Sequence, residues 1–322
     1  MSLRLWVGEY LSGDRADAAP PSLLEAGVQM RDALLEDLLR WRAASPLLGV
    51  TVSYAQGPGV PAFGRSTARA VPPREGESAL DFLPREGRAQ DLVWLVAPES
   101  GGVLERLARS VDPRRWIGCT PDAIALAGSK RATLARLAAR GACTPLAFET
   151  RAAAWVVKPD DGAGSTDTRR HATRAAAEAD LAARIERDEP ATLEAWVDGE
   201  PLSLSLLCRE GAAPELLAIN RQRIEIDGAG WLRDAGVSIA RIPLDDPRAA
   251  ALAALAAATV QALPGLSGFV GIDLVWHAER GAVAIEVNPR VTCAYAGLSA
   301  ALGRNLAAEI VTAHLEAIHV AA

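Results

Sequence analysis

Short, largely apolar runs punctuate the first third of the chain, at residues 3–7, 50–54 and 92–96. Runs of this length, bounded by glycine, proline and polar residues, predict buried strands. Between the first two, Leu23, Leu24, Val28, Leu34, Leu35, Leu38 and Leu39 recur at helical spacing. They predict a helix over 22–39 with one buried face, opened by Ser22 and Glu25 as a capping box. Strands alternating with helices predict an open α/β sheet for the first ~115 residues. Pro, Gly and Arg crowd residues 56–88, which predicts surface loops with at most one short element. At the segment GCTP (118–121), Thr120 suits an N-cap and Pro121 the first position of a helix, so a first domain is expected to end at residue 118.

Beyond that point, a helix carrying Lys130 is expected to stop at Gly141. The run WVVKP (155–159) predicts a strand leading into the loop DDGAGS (160–165), followed by a helix near 173–187 and a strand over 192–197. After the turn DGE (198–200), Leu202, Leu204 and Leu206 alternate with Ser203 and Ser205, the period of a strand with one apolar face. Residues 215–219 predict another strand, and NRQR (220–223) reads either as its polar end or as a basic cluster supplying a cation. Residues 249–263 are mostly alanine, stop at Pro264 and predict a buried helix. A C-terminal helix carries His314 and His319, whose spacing puts them on different faces and reads as solvated.

Residues 269–276 and 282–287 predict a hairpin joined by AERG (278–281). Pairing Ile272 with Val287, Leu274 with Ile285 and Trp276 with Val283 keeps one face apolar, and a one-residue slip would scramble it. That register sets Asp273 opposite Glu286 on the other face, with Asn288 two residues further along. Cross-strand Cβ atoms lie ~4.5–5.5 Å apart, so two carboxylates there repel each other. A cation turns the repulsion into a binding site, and Asp, Glu and Asn offer hard oxygen donors suited to Mg²⁺ or Mn²⁺. Mg²⁺ is commonly shared between carboxylates and substrate phosphates, which points to a nucleotide. The alternative is a solvated hairpin face with mildly frustrated acids. Phosphates would call for lysines and backbone N–H groups: Lys158 ends an apolar strand just before a loop in which Gly162 and Gly164 permit positive φ and close approach. The loop is neither a P-loop nor a GxGxxG fingerprint, and a plain turn is its other reading. Lys130 alone reads more readily as a solvated helix lysine than as a ligand.

Composition narrows the function classes. Of 322 residues half are hydrophobic and 23% charged, which excludes extended disorder and suggests about two domains. A net charge of −6 argues against a nucleic-acid or membrane-surface footprint. Cys119, Cys143, Cys208 and Cys293 form no CxxC pair and have no histidines clustered near them, so neither a disulfide scaffold nor a zinc site is expected. No segment supplies the ~18 apolar residues of a membrane span, and the first ten residues lack a signal-peptide core; a cytoplasmic, reduced protein is expected.

Taken in order, Lys130, Lys158 with its glycine loop, EAWVDGE (194–200), GID (271–273) and EVNPR (286–290) resemble the ATP-grasp superfamily of carboxylate–amine ligases, over residues 120–322. The resemblance implies an α/β protein. An N-terminal open α/β pre-ATP-grasp substrate domain (1–118) would precede a two-part α+β ATP-grasp domain (119–322) with a lid at about 144–197. It implies that Lys130, Lys158 and the loop with Gly162, Gly164 and Ser165 contact ATP phosphates. Glu194 would meet the adenine amino group, with the backbone of Ala195 and Val197 beside it, and Glu200 the ribose. Asp273, Glu286 and Asn288 would be the Mg²⁺ (or Mn²⁺) ligands, and Arg290 would stabilise the phosphate or an oxyanion. D-Alanine–D-alanine ligases carry an Arg two residues before the metal-binding Asp, where this chain has Gly271; Arg290 or NRQR would then supply the cation. The implied reaction makes an acyl phosphate under a lid that excludes water, and an amine captures it to give an amide, ADP and phosphate.

Within the superfamily, Glu9, Ser12 with Gly13, SLLEAG (22–27), LEDL (35–38), APES (97–100) and NRQ (220–222) are similar to the tyramine–glutamate ligase group of methanofuran synthesis. One-carbon-metabolising bacteria make a related furan cofactor, and pyrrolysine-type ligases are a neighbouring resemblance. Glu9 and Glu99 sit at expected strand C-terminal ends, where open sheets bind ligands, so with Asn220 and Arg221 they are candidates for holding an amino substrate. Helix capping or solvation is the other reading of either acid. The expected partners are small molecules, an amino acid and an amine, with no nucleic acid and no membrane; the resemblance is compatible with a homodimer. Two further readings stay open: a non-catalytic ATP-binding regulatory partner, and a poly-glutamylating ligase acting on a cofactor or protein.

Overall fold

The computed structural model describes residues 3–46, 49–65, 67–162 and 164–320. They group into two units: Met1–Pro98 with Val103–Pro121 and Arg290–Ala322, and Glu99–Gly102 with Asp122–Pro289.

The first unit begins with β1 (Arg4–Glu9), α1 (Tyr10–Gly13), α2 (Pro21–Ala44), β2 (Thr51–Ala55), β3 (Arg69–Val71), α3 (Ala79–Gly87), β4 (Leu92–Val96) and α4 (Val103–Arg109). Its four strands are parallel in the order β3-β2-β1-β4. β4 is buried along its whole length, as a continuous apolar run in a parallel sheet requires. α2 departs from expectation at its start. Pro21 opens it, Leu23 and Leu24 bond to the Pro20 carbonyl, and no side chain caps it, so Ser22 and Glu25 form no capping box. Proline at the first helical position needs no N–H partner and presets φ, which starts the helix one residue early. Residues 56–88 hold two elements rather than one at most. Ala79, Phe82 and Leu83 are buried along α3, an apolar spacing too short to stand out among the prolines and arginines around it.

The second unit opens with α5 (Pro121–Gly128) and α6 (Lys130–Ala139), where the sequence suggested one helix. Ser129 breaks it, its Oγ accepting from the Ala132 N–H as the N-cap of α6. Then β5 (Trp155–Pro159), β6 (Arg169–His171), α7 (Arg174–Glu186) and β7 (Ala191–Ala195) form a three-stranded antiparallel sheet, β6-β5-β7, with α7 packed against it. Trp155, Val157, Ala177 and Ala195 are its core.

The larger sheet is antiparallel, β10-β9-β8-β11-β12, built from β8 (Glu200–Cys208), β9 (Glu215–Ile226), β10 (Leu232–Ile242), β11 (Gly268–His277) and β12 (Gly281–Asn288), with α8 (Ala249–Ala262) preceding β11. β9 runs straight through NRQR to Ile226 instead of ending at 219. α8 buries only one face, through Leu252, Leu255, Ala256, Thr259 and Ala262. The β11–β12 pairing matches the expected register at Ile272 with Val287 and Asp273 with Glu286. Nearer the turn it shifts by one, with Leu274 opposite Ala284 and Val275 opposite Val283. The loop is one residue shorter than expected, Gly281 adopts φ +68°, and a bulge at Ile285 absorbs the difference.

The chain returns to the first unit with α9 (Leu298–Leu302) and α10 (Leu306–Val320). Tyr295 Oη (2.6 Å) and Ser299 Oγ donate to the buried Asp37 carboxylate of α2, and Asn305 Nδ2 donates to the Asp37 carbonyl at 2.8 Å. His314 is half-buried and donates to the Arg114 carbonyl at 3.0 Å, and burial lowers its pKa; of the two histidines only His319 is exposed. All four cysteines are free. Among the described residues no helix is long and apolar enough to cross a membrane.

Candidate functional site

In the second unit, a cavity of about 280 Å³ has an apolar lining from Val156, Ala195, Val197, Ile224, Leu274 and Ile285. Its polar lining holds Lys130, Lys158, Glu194, Asp273, Glu286 and Asn288, brought together from α6, β5, β7, β11 and β12.

Lys130 is the first residue of α6, and the loop after β5 fixes that helix end. Asp160 accepts from Ser129 Oγ (2.7 Å) and the Arg131 N–H (2.9 Å), and its carbonyl accepts from the Lys130 N–H. The Lys130 ammonium lies 3.0 Å from Glu286 Oε1 and also donates to the Gly162 carbonyl. Burial works against its charge, but Glu286, aided by Glu99 and Glu194, outweighs burial and holds its pKa above the ordinary lysine value. Lys158 on β5 lies 2.9 Å from Glu194 Oε2 on β7, where Val156 and Glu194 are cross-strand partners. Burial pushes the Glu194 pKa up against the pull of Lys158, and its second oxygen, Oε1, is buried with no hydrogen-bond partner.

Asp273 and Glu286 face each other across β11 and β12. Burial, then the Glu286 charge, drive the Asp273 pKa well above the usual carboxylate range. Two amides oppose that shift: Asn288 Nδ2 donates to Oδ2 at 3.1 Å and Gln222 Nε2 to Oδ1 at 2.9 Å. The bulge at Ile285 lets both Ile285 and Glu286 line the cavity. Among the described residues no three His, Cys, Asp or Glu side chains cluster as a metal site, so a cation here would have two carboxylates and an amide as protein donors. That oxygen set suits a hard dication, and the orphaned Glu194 Oε1 suits a ligand N–H; the side chains fit Mg²⁺ and a nucleotide.

Gly162, Gly164, Ser165, Ala195 and Val197 also line the cavity, while Ala163 of the same loop lies outside the described residues. Gly164 and Ser165 adopt φ +64° and +59°, the left-handed region that glycine enters without strain. Glu200, Asn220 and Arg221 are not in the lining. Glu200 is held by Arg221 (2.6 Å) and Arg248 (2.8 Å), and the buried Asn220 amide is committed to Ser205 Oγ (3.0 Å) and the Ala240 N–H (2.9 Å). Arg290 belongs to the first unit, where Nη1 donates to the Val291 carbonyl. Glu9 is a buried N-cap of α1, accepting from the N–H groups of Leu11 and Ser12; burial raises its pKa. Glu99 is buried, and its charge supports protonated Lys130. The sequence reading missed Gln222, Asp234, Thr166 and Thr168, all in the lining. Extending the strand through NRQR would have revealed Gln222, since Gln222, Ile224 and Ile226 share one face of β9.

A three-stranded sheet, a larger antiparallel sheet and a cavity lined by paired lysines and carboxylates define an ATP-grasp protein. Residues 127–294 match the ATP-grasp domain and residues 57–124 the pre ATP-grasp 3 domain, so the chain belongs to the ATP-grasp family. It is similar to the tyramine–L-glutamate ligase of Methanocaldococcus jannaschii, with 31% identity over 211 residues that cover 65% of this chain and 58% of that protein. The chain thus spans less than two thirds of that relative's length. Its fold is shared by an ATP-grasp superfamily protein of Archaeoglobus fulgidus (TM-score 0.68, 19% identity, 97% of this chain and 88% of the other). It is shared too by a D-alanine–D-alanine ligase of Bacillus anthracis (TM-score 0.62, 14% identity, 100% of both chains).

Proposed function

We propose that this protein is an ADP-forming carbon–nitrogen ligase. It would use ATP with Mg²⁺ (or Mn²⁺) to join glutamate or another amino acid to a small amine, in synthesis of a methylofuran-like cofactor. The observation that carries the reading is one cavity lined by two lysine–glutamate pairs, the Asp273–Glu286 pair and a set of apolar side chains.

Apolar side chains of the lining take the adenine ring, with the unpaired Glu194 Oε1 accepting from its amino group and the Ala195 and Val197 backbone along its edge. Lys130, Lys158 and backbone N–H groups of the loop with Gly162, Gly164 and Ser165 hold the phosphates. Asp273, Glu286 and Asn288 would hold the dication, which would supply positive charge beside the phosphates. A carboxylate oxygen attacks the γ-phosphorus, the bond to the β–γ bridging oxygen breaks, and ADP leaves. The amine then attacks the acyl carbon, the C–O bond to phosphate breaks, and the amine proton passes to phosphate or water. Arg290, which belongs to the first unit and is absent from the cavity lining, stays outside this assignment. Glu200, Asn220 and Arg221 stay outside this assignment because their polar atoms already serve one another, Ser205 and Arg248. Glu9 serves as a helix cap. An enzyme of this kind acts on small molecules in the cytoplasm.

The test is ADP release from Mg·ATP with glutamate alone, and with glutamate plus pooled small amines such as tyramine. ADP that appears only with both establishes ligation, and a product ladder spaced by one glutamate mass would show repeated addition. ATP binding with no ADP in any mixture of carboxylates and amines would favour a binding protein and overturn the ligase reading.

A further inference from the structure

Gln222 lies on β9, separated from Asp273 on β11 by the whole of β8, yet its amide reaches Asp273 Oδ1 at 2.9 Å. Adjacent strands stand ~4.8 Å apart, so the side chains span about 10 Å between their backbones. The intervening strand allows it. Asp273 pairs with Ser203 and Val275 with Pro201, and on the other side Ser203 pairs with Asn220 and Leu202 with Arg221. Gln222 therefore stands across from Pro201 and leans past the small Ser203.

A carboxylate only accepts, so both amides on Asp273 must present N–H groups. One of them, Asn288, belongs to the proposed donor set; Gln222 does not. The next cavity-lining residues of β9 are Ile224 and Ile226, which offer no replacement donor. We infer that Gln222 is a positioning residue: it locks the Asp273 carboxylate in the orientation that faces Glu286 and so sets the affinity of the site for a divalent cation. The inference rests on reading Asp273 and Glu286 as cation ligands. Hydrogen bonds from outside the donor set orient ligating carboxylates, and losing one weakens metal binding about 10- to 100-fold.

The test is a titration of the whole protein with MnCl₂, alone and with ADP, following free Mn²⁺ by electron paramagnetic resonance. Gln222→Met keeps the length and removes the donors, Gln222→Asn keeps the donors one methylene short, and Asp273→Asn removes the ligand charge. Wild type is expected to bind, Asp273→Asn to lose binding, and both Gln222 variants to bind about tenfold more weakly or worse. The Gln222 variants are titrated well below their own metal-free melting transitions, where the protein is folded and a merely structural role would leave Mn²⁺ affinity unchanged. Wild-type Mn²⁺ affinity in the folded Gln222 variants overturns the inference and leaves the cation site standing. A wild type that holds no Mn²⁺, or an Asp273→Asn variant that still binds it, overturns the cation reading and the inference with it.

Discussion

Lys158 and Glu194 form an ion pair with side chains only 6% and 4% exposed, and the pair is more important when broken than when intact. Removing one partner of a buried pair strands a charge, at about 3–5 kcal/mol, whereas an apolar replacement of both is often neutral. Lys158→Met is therefore expected to lower stability by about that amount, and adding Glu194→Leu to restore most of it, as read by urea denaturation. Equal losses in the single and double variants would contradict this. Asp273 raises the opposite question. Its pKa is raised, so the native state binds the proton more tightly than the unfolded chain does. Stability of the metal-free protein then falls as pH rises beyond the ordinary carboxylate range. Asp273→Asn should flatten that fall and raise the metal-free melting temperature at alkaline pH by about 2–4 °C per kcal/mol relieved, as Mg²⁺ does for wild type. Parallel melting curves for wild type and variant across pH would show that the carboxylate is not frustrated. Both residues were readable as chemistry because strand spacing pairs them or places them at a strand end. The orphaned Glu194 oxygen was not readable, since it depends on which atoms fill the space around it.

Among the elements, β9 and the β11–β12 hairpin show how register decides a site. NRQR reads as polar, but a strand turns alternate residues to opposite faces, so Gln222 enters the cavity while Arg221 pairs with Glu200. A compositional reading cannot distinguish neighbours that differ only in face. The hairpin held the Asp273–Glu286 partnership despite a shorter loop because the bulge at Ile285 takes up the slip before it reaches the acids. The tip joining β9 to β10 also clasps β6: the Arg170 N–H donates to the Gly230 carbonyl at 2.8 Å and the Leu232 N–H to the Thr168 carbonyl at 2.9 Å. Gly230 sits at φ +89°, and a Cβ there would come within 2.3 Å of the Arg170 carbonyl oxygen. Gly230→Val should open this seam. Amide exchange at Arg170 and Leu232 would rise roughly tenfold, matching two hydrogen bonds lost at about 0.5–1.5 kcal/mol each. Unchanged protection at both amides would mean that the seam is held elsewhere.

For the molecule as a whole, the first unit is assembled from three stretches of chain, and the last of them is tied down through Asp37. That carboxylate is buried and takes hydrogen bonds from Tyr295 and Ser299, more than 250 residues away in sequence. Burial and the Asp37 charge raise the Tyr295 pKa well above its usual value, so the phenol remains a donor. Asp37→Leu would remove the acceptor of two buried hydroxyl donors, a loss of about 1–3 kcal/mol for each. The variant is expected to unfold at markedly lower urea, while Glu36→Gln, on the exposed side of the same helix, should not; equal midpoints would remove Asp37 as the anchor.

By itself the sequence determined the local elements and the chemical types. Apolar period and turn residues are short-range properties, and they placed β4 and β5, α7, the hairpin and the ordered set of lysines and acids. Tertiary structure decided which of those residues meet. Asn220 became a buried structural amide, Glu9 a helix cap and Gln222 a partner of Asp273, and Arg290 falls with the N-terminal sheet. Each outcome depends on groups far away in sequence, on strand face and on the filling of space, which no local pattern encodes.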